Sequence, residues 1–518
     1  MKKLSIVALG LLFACNSSQK TVSETTQARR VADPVPFAET ITQEELKEHL
    51  YTYASDEFEG RETGQPGQKK AVEYLKAHYE SLGIPAAKPN GDYFQDVPLE
   101  VSKVPEGSIS INGNNFVLGE DVVTFSAAKG NFSEIVYAGY GIEDENYSDY
   151  TDLDLNGKLV LIKAGEPVDG NGNYVITGTS EKSAWSNLSE SMGKKAELAV
   201  QKGAKGILYY DAQSYPRFQG YFSFMQTNNS GRMQLAGDND DSVLIVLNET
   251  SAKAVKSDID NDDTPKMISA EIVLNITSGN DKVNSENVVA VLKGTEKPDE
   301  YVVISSHLDH IGITADGQIN NGADDDGSGS VAMLEIAEAF KNAAKAGNGP
   351  KRSIVFLHVT GEEKGLLGSR YYTDVEPIFP LEQTVANLNI DMIGRIDPNY
   401  KGARNYLYLI GSDKLSTELH NLSEEVNKKY ANIEFDYTYN DENDPNRFYY
   451  RSDHYNFAKN NIPIIFYFNG THADYHRPGD TPDKINYDLL ENRARLIFHT
   501  AWEIANRPDR LVVDKAAD

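Results

Sequence analysis

The chain has 518 residues, of which 25% are charged and 40% hydrophobic, with a formal net charge of −28. That length exceeds one ordinary core and points to two or three domains, and the balanced composition excludes a disordered or fibrous chain. So large an acidic surplus repels phosphate backbones and anionic lipid headgroups, and no Lys/Arg-rich stripe interrupts it, so nucleic acid is excluded as a partner.

In chain order, Lys2 and Lys3 precede an apolar run from Leu4 to Ala14, which ends at Cys15. This reads as a signal peptide over residues 1–14. The run is too short to cross a bilayer, and no later segment approaches the roughly 20 apolar residues that crossing requires, so the mature chain is expected to have no transmembrane helix. Cys15 is the only cysteine, which excludes disulfides within one molecule. The stretch Leu12-Phe13-Ala14-Cys15 resembles the lipobox of bacterial lipoproteins. That resemblance implies an exported chain whose Cys15 carries lipid, anchored to a bacterial cell-envelope membrane on its periplasmic or surface side. Residues 15–36, polar and without apolar periodicity, then form a tether.

From Ile41 to Leu82 the pattern is helical, with Thr42 ahead of Glu44 and Glu45 as a cap, and it predicts two helices around a turn. The turn is the loop Glu59-Gly60-Arg61-Glu62-Thr63-Gly64-Gln65-Pro66-Gly67. Residues 37–100 are taken as the first part of a discontinuous domain. Over about 101–275 the pattern changes to short strands, including Val160 to Ile162, Gly206 to Tyr210 and Leu244 to Leu247, with one helix near Lys194 to Lys202. An insert with its own small core fits this better than a long loop. Gly157-Lys158-Leu159-Val160-Leu161-Ile162 and the later Lys195 to Gly206 segment resemble a protease-associated (PA) domain.

From about 276 to 510, apolar strands alternate with helices: Val288 to Leu292, Tyr301 to Ser305, Ser353 to Val359, Val385 to Ile390, Tyr406 to Ile410 and Ile462 to Phe468. The fold class is α/β, a mixed, largely parallel sheet sandwiched by helices, with the small β-rich PA-like insert. Ligands in such folds gather beyond the carboxyl ends of the strands.

Five clusters of His, Asp and Glu lie at those ends. They are Ser306-His307-Leu308-Asp309, Ala323-Asp324-Asp325-Asp326-Gly327, Gly361-Glu362-Glu363-Lys364, Ile390-Asp391-Met392 and the loop containing His472 and His476. Each alone has a bland reading as a solvated or packed polar pair. Together they specify a metal site, because unpaired carboxylates near packed structure are expensive. Nitrogen and oxygen donors without sulfur suit zinc, with manganese or cobalt also compatible. Composition and spacing leave open which of the three adjacent aspartates binds, and whether His472 or His476 does. Ser452-Asp453-His454 is no serine-protease triad, since adjacent side chains cannot converge, and there is no H-E-x-x-H.

Residues 40–100 and 286–505 resemble the M28 family of zinc peptidases, whose metal-binding motifs appear here in order. The resemblance implies a two-zinc metallopeptidase, most simply an aminopeptidase, acting on peptides. It assigns His307 and Asp391 to one zinc, Asp325 as the bridge, and Glu363 and His476 to the other. It also makes Glu362 the general base, Asp309 the partner of His307, Tyr449 or Tyr475 a contact to substrate, and Asp325-Asp326 a cis peptide. Other readings are an M28 carboxypeptidase or dipeptidase, a mono-zinc glutaminyl cyclase, and a non-catalytic binding protein on the same fold.

Overall fold

The computed structural model describes residues 32–186, 191–228, 230–237, 243–442 and 444–515. The signal-peptide segment, Cys15 and most of the expected tether lie outside the described residues. The fold below is that of the compact unit Pro34–Asp518.

Helix α1 (Gln43–Tyr53) starts where expected, with the Thr42 side chain accepting the Glu45 N–H. It buries Leu46, Leu50 and Tyr53, which share one face at helical spacing. Helix α2 (Pro66–Leu82) opens on a proline whose missing N–H costs nothing in the first turn, and it stops at Gly83, whose φ of 68° suits glycine.

Nine strands form the main sheet. They are β1 (Phe94–Ser102), β2 (Arg232–Leu235), β3 (Asn280–Leu292), β4 (Lys297–His307), β5 (Arg352–Val359), β6 (Thr384–Ile390), β7 (Tyr406–Ile410), β8 (Glu434–Asp436) and β9 (Ile464–Phe468). Their order across the sheet is β2-β1-β3-β5-β4-β6-β9-β7-β8. The central strands β5, β4, β6 and β9 are mutually parallel, β1, β2 and β3 run antiparallel to their neighbours, and β7 is antiparallel to β9 but parallel to β8, so the sheet is mixed. Every residue of β5, β6 and β9 is buried, which explains why they are predominantly apolar rather than alternating, and the polar residues of β6, Asn387 and Asn389, are hydrogen-bonded inside. Helices α3 (Gly329–Lys345) and α4 (Tyr487–Asn506) cover one face, where Phe340 meets Phe498 with ring centroids 4.7 Å apart. No described helix is long and apolar enough to cross a membrane.

A second, eight-stranded sheet is built from segments between Glu106 and Thr277, with Leu159–Lys163, Gly206–Tyr210 and Val243–Leu247 parallel at its centre. Its buried Ile135, Leu161, Leu208, Ile245 and Ile272 form a core of their own. The span expected to be a self-contained insert differs in one respect. Strand β2 leaves it and pairs with β1 at the edge of the main sheet, Leu235 opposite Leu99.

Two buried imidazoles make stability depend on pH. His358 and His454 are each held down to about 3 by burial, against an unfolded value of roughly 6.5. Because the folded values lie below the unfolded one, the stabilisation is complete above roughly pH 6.5 and is lost as pH falls toward the folded values. Each group is expected to add up to about 1.4 kcal/mol per pH unit to the acid slope. Urea unfolding at several pH values between neutral and acid should show His358→Gln losing stability less steeply than wild type.

Candidate metal centre

The parallel order β5-β4-β6-β9 brings four of the strand ends to one edge of the sheet. His307 is the last residue of β4, Glu362 and Glu363 follow β5, Asp391 follows β6, and the loop with His472 and His476 follows β9. Asp325 arrives from the turn before α3, where Asp325-Asp326 is a cis peptide.

His307 Nε2 lies 3.2 Å from Asp325 Oδ1 and 3.6 Å from Asp391 Oδ1. On the other side of Asp325, His476 Nε2 lies 3.1 Å from Asp325 Oδ2 and 3.2 Å from Glu363 Oε2. Two groups of donors therefore share one carboxylate. His307, Asp325 and Asp391 form the first; in the second, His310 also joins Asp325 and Glu363 within reach of a single ion. His307 Nε2 and Asp325 Oδ2 are buried without a hydrogen bond of acceptable geometry, although both have charged neighbours. Such orphaned polar atoms are costly in a protein interior. A nitrogen and oxygen donor set of this kind fits zinc.

The electrostatics have the same character. Burial would push the His307 imidazole down, but Glu362 and Asp391 overturn this and hold it well above its ordinary value. Burial raises Glu362 well above the usual carboxylate range; Glu363 and Asp391 add to this while His307 opposes it. Asp325 and Glu363 go the other way despite burial: His310, His307 and His476 hold Asp325 well down, and His310 and His476 hold Glu363 at about 2. Met392 and His476 occupy the left-handed region, with φ of 63° and 56°. Non-glycine residues adopt that conformation mainly where surrounding structure enforces it, often at functional sites.

Supporting bonds fix these side chains. His307 Nδ1 donates to the main-chain carbonyl of Asp309 at 3.0 Å, which sets the imidazole tautomer. Asp309 is thus the partner of His307 through its main chain. The Asp309 side chain turns away and accepts Thr63 Oγ1 at 2.7 Å and the Glu362 N–H at 3.2 Å, so it orients the glutamate loop instead. Ser452 Oγ donates to Asp391 Oδ2 at 2.5 Å. Asp326 accepts the N–H groups of His307, Gly329 and Met392 and thus joins three loops, while Asp480 Oδ2 accepts those of Asp324 and Asp325.

Of the two undecided histidines, His476 reaches the donor group, whereas His472 Nε2 sits 3.2 Å from Asp324 Oδ2, away from it. Of the two tyrosines, Tyr475 lines the cleft beside Asp325, Glu362, Asp391 and His476, and its ring stacks on His476 at 3.9 Å. Tyr449 is not brought to the cleft and packs against His454, Tyr450 and Tyr455.

The sequence reading missed His310, although it follows His307 by three residues. Its Nδ1 donates to Glu363 Oε1 at 2.8 Å. Removing an outer partner of this kind typically lowers metal affinity about 10–100-fold. His310→Ala is expected to weaken zinc in that range, measured by competition with a chelator. Complete loss of one ion would make His310 a ligand itself.

Against known proteins, residues 287–501 match peptidase family M28. The chain carries an M28 peptidase domain. Leucine aminopeptidase 2 of Arthroderma otae is 24% identical over 481 residues, covering 88% of this chain and 82% of that protein. A probable glutamate carboxypeptidase of Arabidopsis thaliana, LAMP1, is 31% identical over 145 residues, a stretch that is 28% of this chain and 20% of that protein. Among solved structures, an aminopeptidase from Aneurinibacillus sp. strain AM-1 shares the fold, with a TM-score of 0.50 and 20% identity, covering 93% of this chain and 98% of that one. All the candidate ligands lie inside the M28 domain.

Proposed function

We propose that the M28 domain is a two-zinc aminopeptidase that releases N-terminal residues from peptides. The observation that carries this reading is the pair of donor groups sharing Asp325, with the largely buried Glu362 carboxylate 4.0 Å from His307 Nε2. His307, Asp325 and Asp391 would hold one ion, and Asp325, Glu363 and His476 the other. Zinc so bound supplies Lewis acidity and lowers the pKa of water to about 7. Glu362, raised by its surroundings, takes the proton of the attacking water and returns it to the leaving amine. Tyr475 offers its hydroxyl to the carbonyl oxygen of the scissile bond. The long match to leucine aminopeptidase 2 supports attack at the N-terminus.

A carboxypeptidase is the second reading, favoured by one observation. Arg451 lines the cleft and has no acidic partner among the described residues, so it could take a substrate carboxylate. One assay separates the two: a peptide with a free N-terminus against its N-acetylated form, each with and without 1,10-phenanthroline. An aminopeptidase cleaves only the free form and stops with chelator. Equal cleavage of both forms discards the aminopeptidase reading.

The same reading takes Cys15 as the lipid-bearing first residue of the mature chain and the segment between Glu106 and Thr277 as a PA-like module bordering substrate access. Cys15→Ala should move the protein from the membrane to the soluble fraction. Retention on the membrane would exclude the anchor.

A further inference from the structure

We propose that Arg61, in the glycine-rich loop between α1 and α2, is a positioning residue that sets the spacing of the two metal-holding loops. The proposal rests on reading His307, Asp325, Glu363, Asp391 and His476 as ligands. Arg61 itself touches none of them.

The side chain is 1% exposed, with its guanidinium over the Tyr53 ring at 4.7 Å. It has no carboxylate partner among the described residues, and every bond it makes is to a main-chain carbonyl. Nε donates to Leu308 O at 3.2 Å, Nη1 to Tyr53 O at 3.2 Å and to Asn321 O at 2.7 Å, and Nη2 to Gly322 O at 2.8 Å. Leu308 directly follows the ligand His307, and Gly322 precedes the bridging Asp325 by three residues. One rigid group therefore spans the end of α1, the loop after β4 and the loop before α3.

The backbone around Arg61 is shaped for this role. Glu59, Gly60 and Arg61 all have positive φ, of 52°, 66° and 49°. A Cβ on Gly60 would sit 2.4 Å from Asn320 O, so that approach requires glycine. His310 N–H donates to Arg61 O, and Gly312 N–H donates to Gly60 O, so the loop is also tied to the segment after His307.

The choice of arginine follows from geometry. Carbonyls at irregular, buried loop ends need donors, and each one left unmet costs free energy. A guanidinium presents five N–H groups in a fixed planar fork, which can serve carbonyls on three segments at once. An ammonium is a point donor and cannot reach all three. Without the fork, the two segments are still joined through Asp326, through Ser330 Oγ to His307 O and through Asn320 to Gly312 O, but Leu308 O is no longer tied to Asn321 O and Gly322 O, and the separation of the His307 and Asp325 loops is less constrained. An ion that needs ligands from both loops would then be held more weakly. Because Arg61 is buried, a peptide cannot touch it, so KM should stay within about 3-fold of wild type while kcat falls.

The test uses the full chain stripped of metal. Zinc titration in competition with a fluorescent chelator is run on wild type, Arg61→Ala and Arg61→Lys, with circular dichroism to establish folding. The expected result is that Arg61→Ala folds, loses at least about 10-fold in affinity for one ion or both, and regains part of it when guanidinium, but not methylammonium, is added. Arg61→Lys should also bind more weakly than wild type, and it carries the test if the alanine variant fails to fold. Wild-type zinc affinity in a folded variant would overturn the proposal. A wild-type chain that binds no zinc would instead overturn the ligand reading, which keeps the two failures apart.

Discussion

Replacing Glu362 with glutamine is expected to lower kcat by roughly 10²–10⁴-fold, the range that general acid–base catalysis contributes, while zinc content stays at the wild-type level. The amide keeps the shape of the side chain and can still be oriented by the loop whose Glu362 N–H donates to Asp309. It cannot take a proton. The carboxylate it replaces is buried, and burial with its acidic neighbours raises its proton affinity. That places its acceptor strength closer to what proton transfer at neutral pH requires than an ordinary glutamate would be. Steady-state kinetics with an aminoacyl-anilide, together with metal analysis of the same preparation, separates loss of the base from loss of the metal. A variant that retains full activity would remove Glu362 from the chemistry.

Asp325→Ala is expected to be more damaging, because this carboxylate belongs to both donor groups. Its loss leaves His307 with Asp391 on one side and Glu363 with His476 on the other, each with one donor too few. It also removes the carboxylate that faces His307, His310 and His476 at 3.2, 3.8 and 3.1 Å. Zinc affinity should fall by more than the roughly 100-fold upper bound typical of outer partners, with activity below detection. Atomic absorption after dialysis against micromolar zinc would measure it. Unchanged zinc content would mean that the bridging role belongs to another residue.

The strands that build the site were legible because they are buried on both faces and read as predominantly apolar runs, as in Ser353 to Val359 and Val385 to Ile390. Their parallel order follows from strands separated by helices, so five ambiguous clusters could be placed at one edge without side-chain coordinates. What the sequence could not carry was direction. Asp309 stands two residues from His307, yet its carboxylate faces Thr63 and the Glu362 loop, because beyond the end of β4 no strand periodicity sets where a side chain points. His310 escaped notice for the same reason. Arg61 was visible only as part of a loop, since the carbonyls it serves at Leu308, Asn321 and Gly322 lie some 250 residues further along the chain. Strand β2 was hidden as well. Only its pairing with β1 reveals that Arg232–Leu235 belongs to the main sheet rather than to the segment around it.

The two tyrosines are separated by their placement in the fold. Residue type and motif spacing allowed either Tyr449 or Tyr475 to meet substrate, and the cleft contains only Tyr475. Its burial and the surrounding carboxylates raise its phenol well above the ordinary value, so it stays protonated and able to donate at neutral pH.

The most direct test of the metal centre is a crystal of the chain soaked in zinc, with diffraction recorded on either side of the zinc absorption edge. Two anomalous peaks are predicted about 3.5–4 Å apart. One should be contacted by His307, Asp325 and Asp391, and the other by Asp325, Glu363 and His476. The absence of any peak at the ends of β4, β5 and β6, or a peak held by a different set of residues, would contradict it.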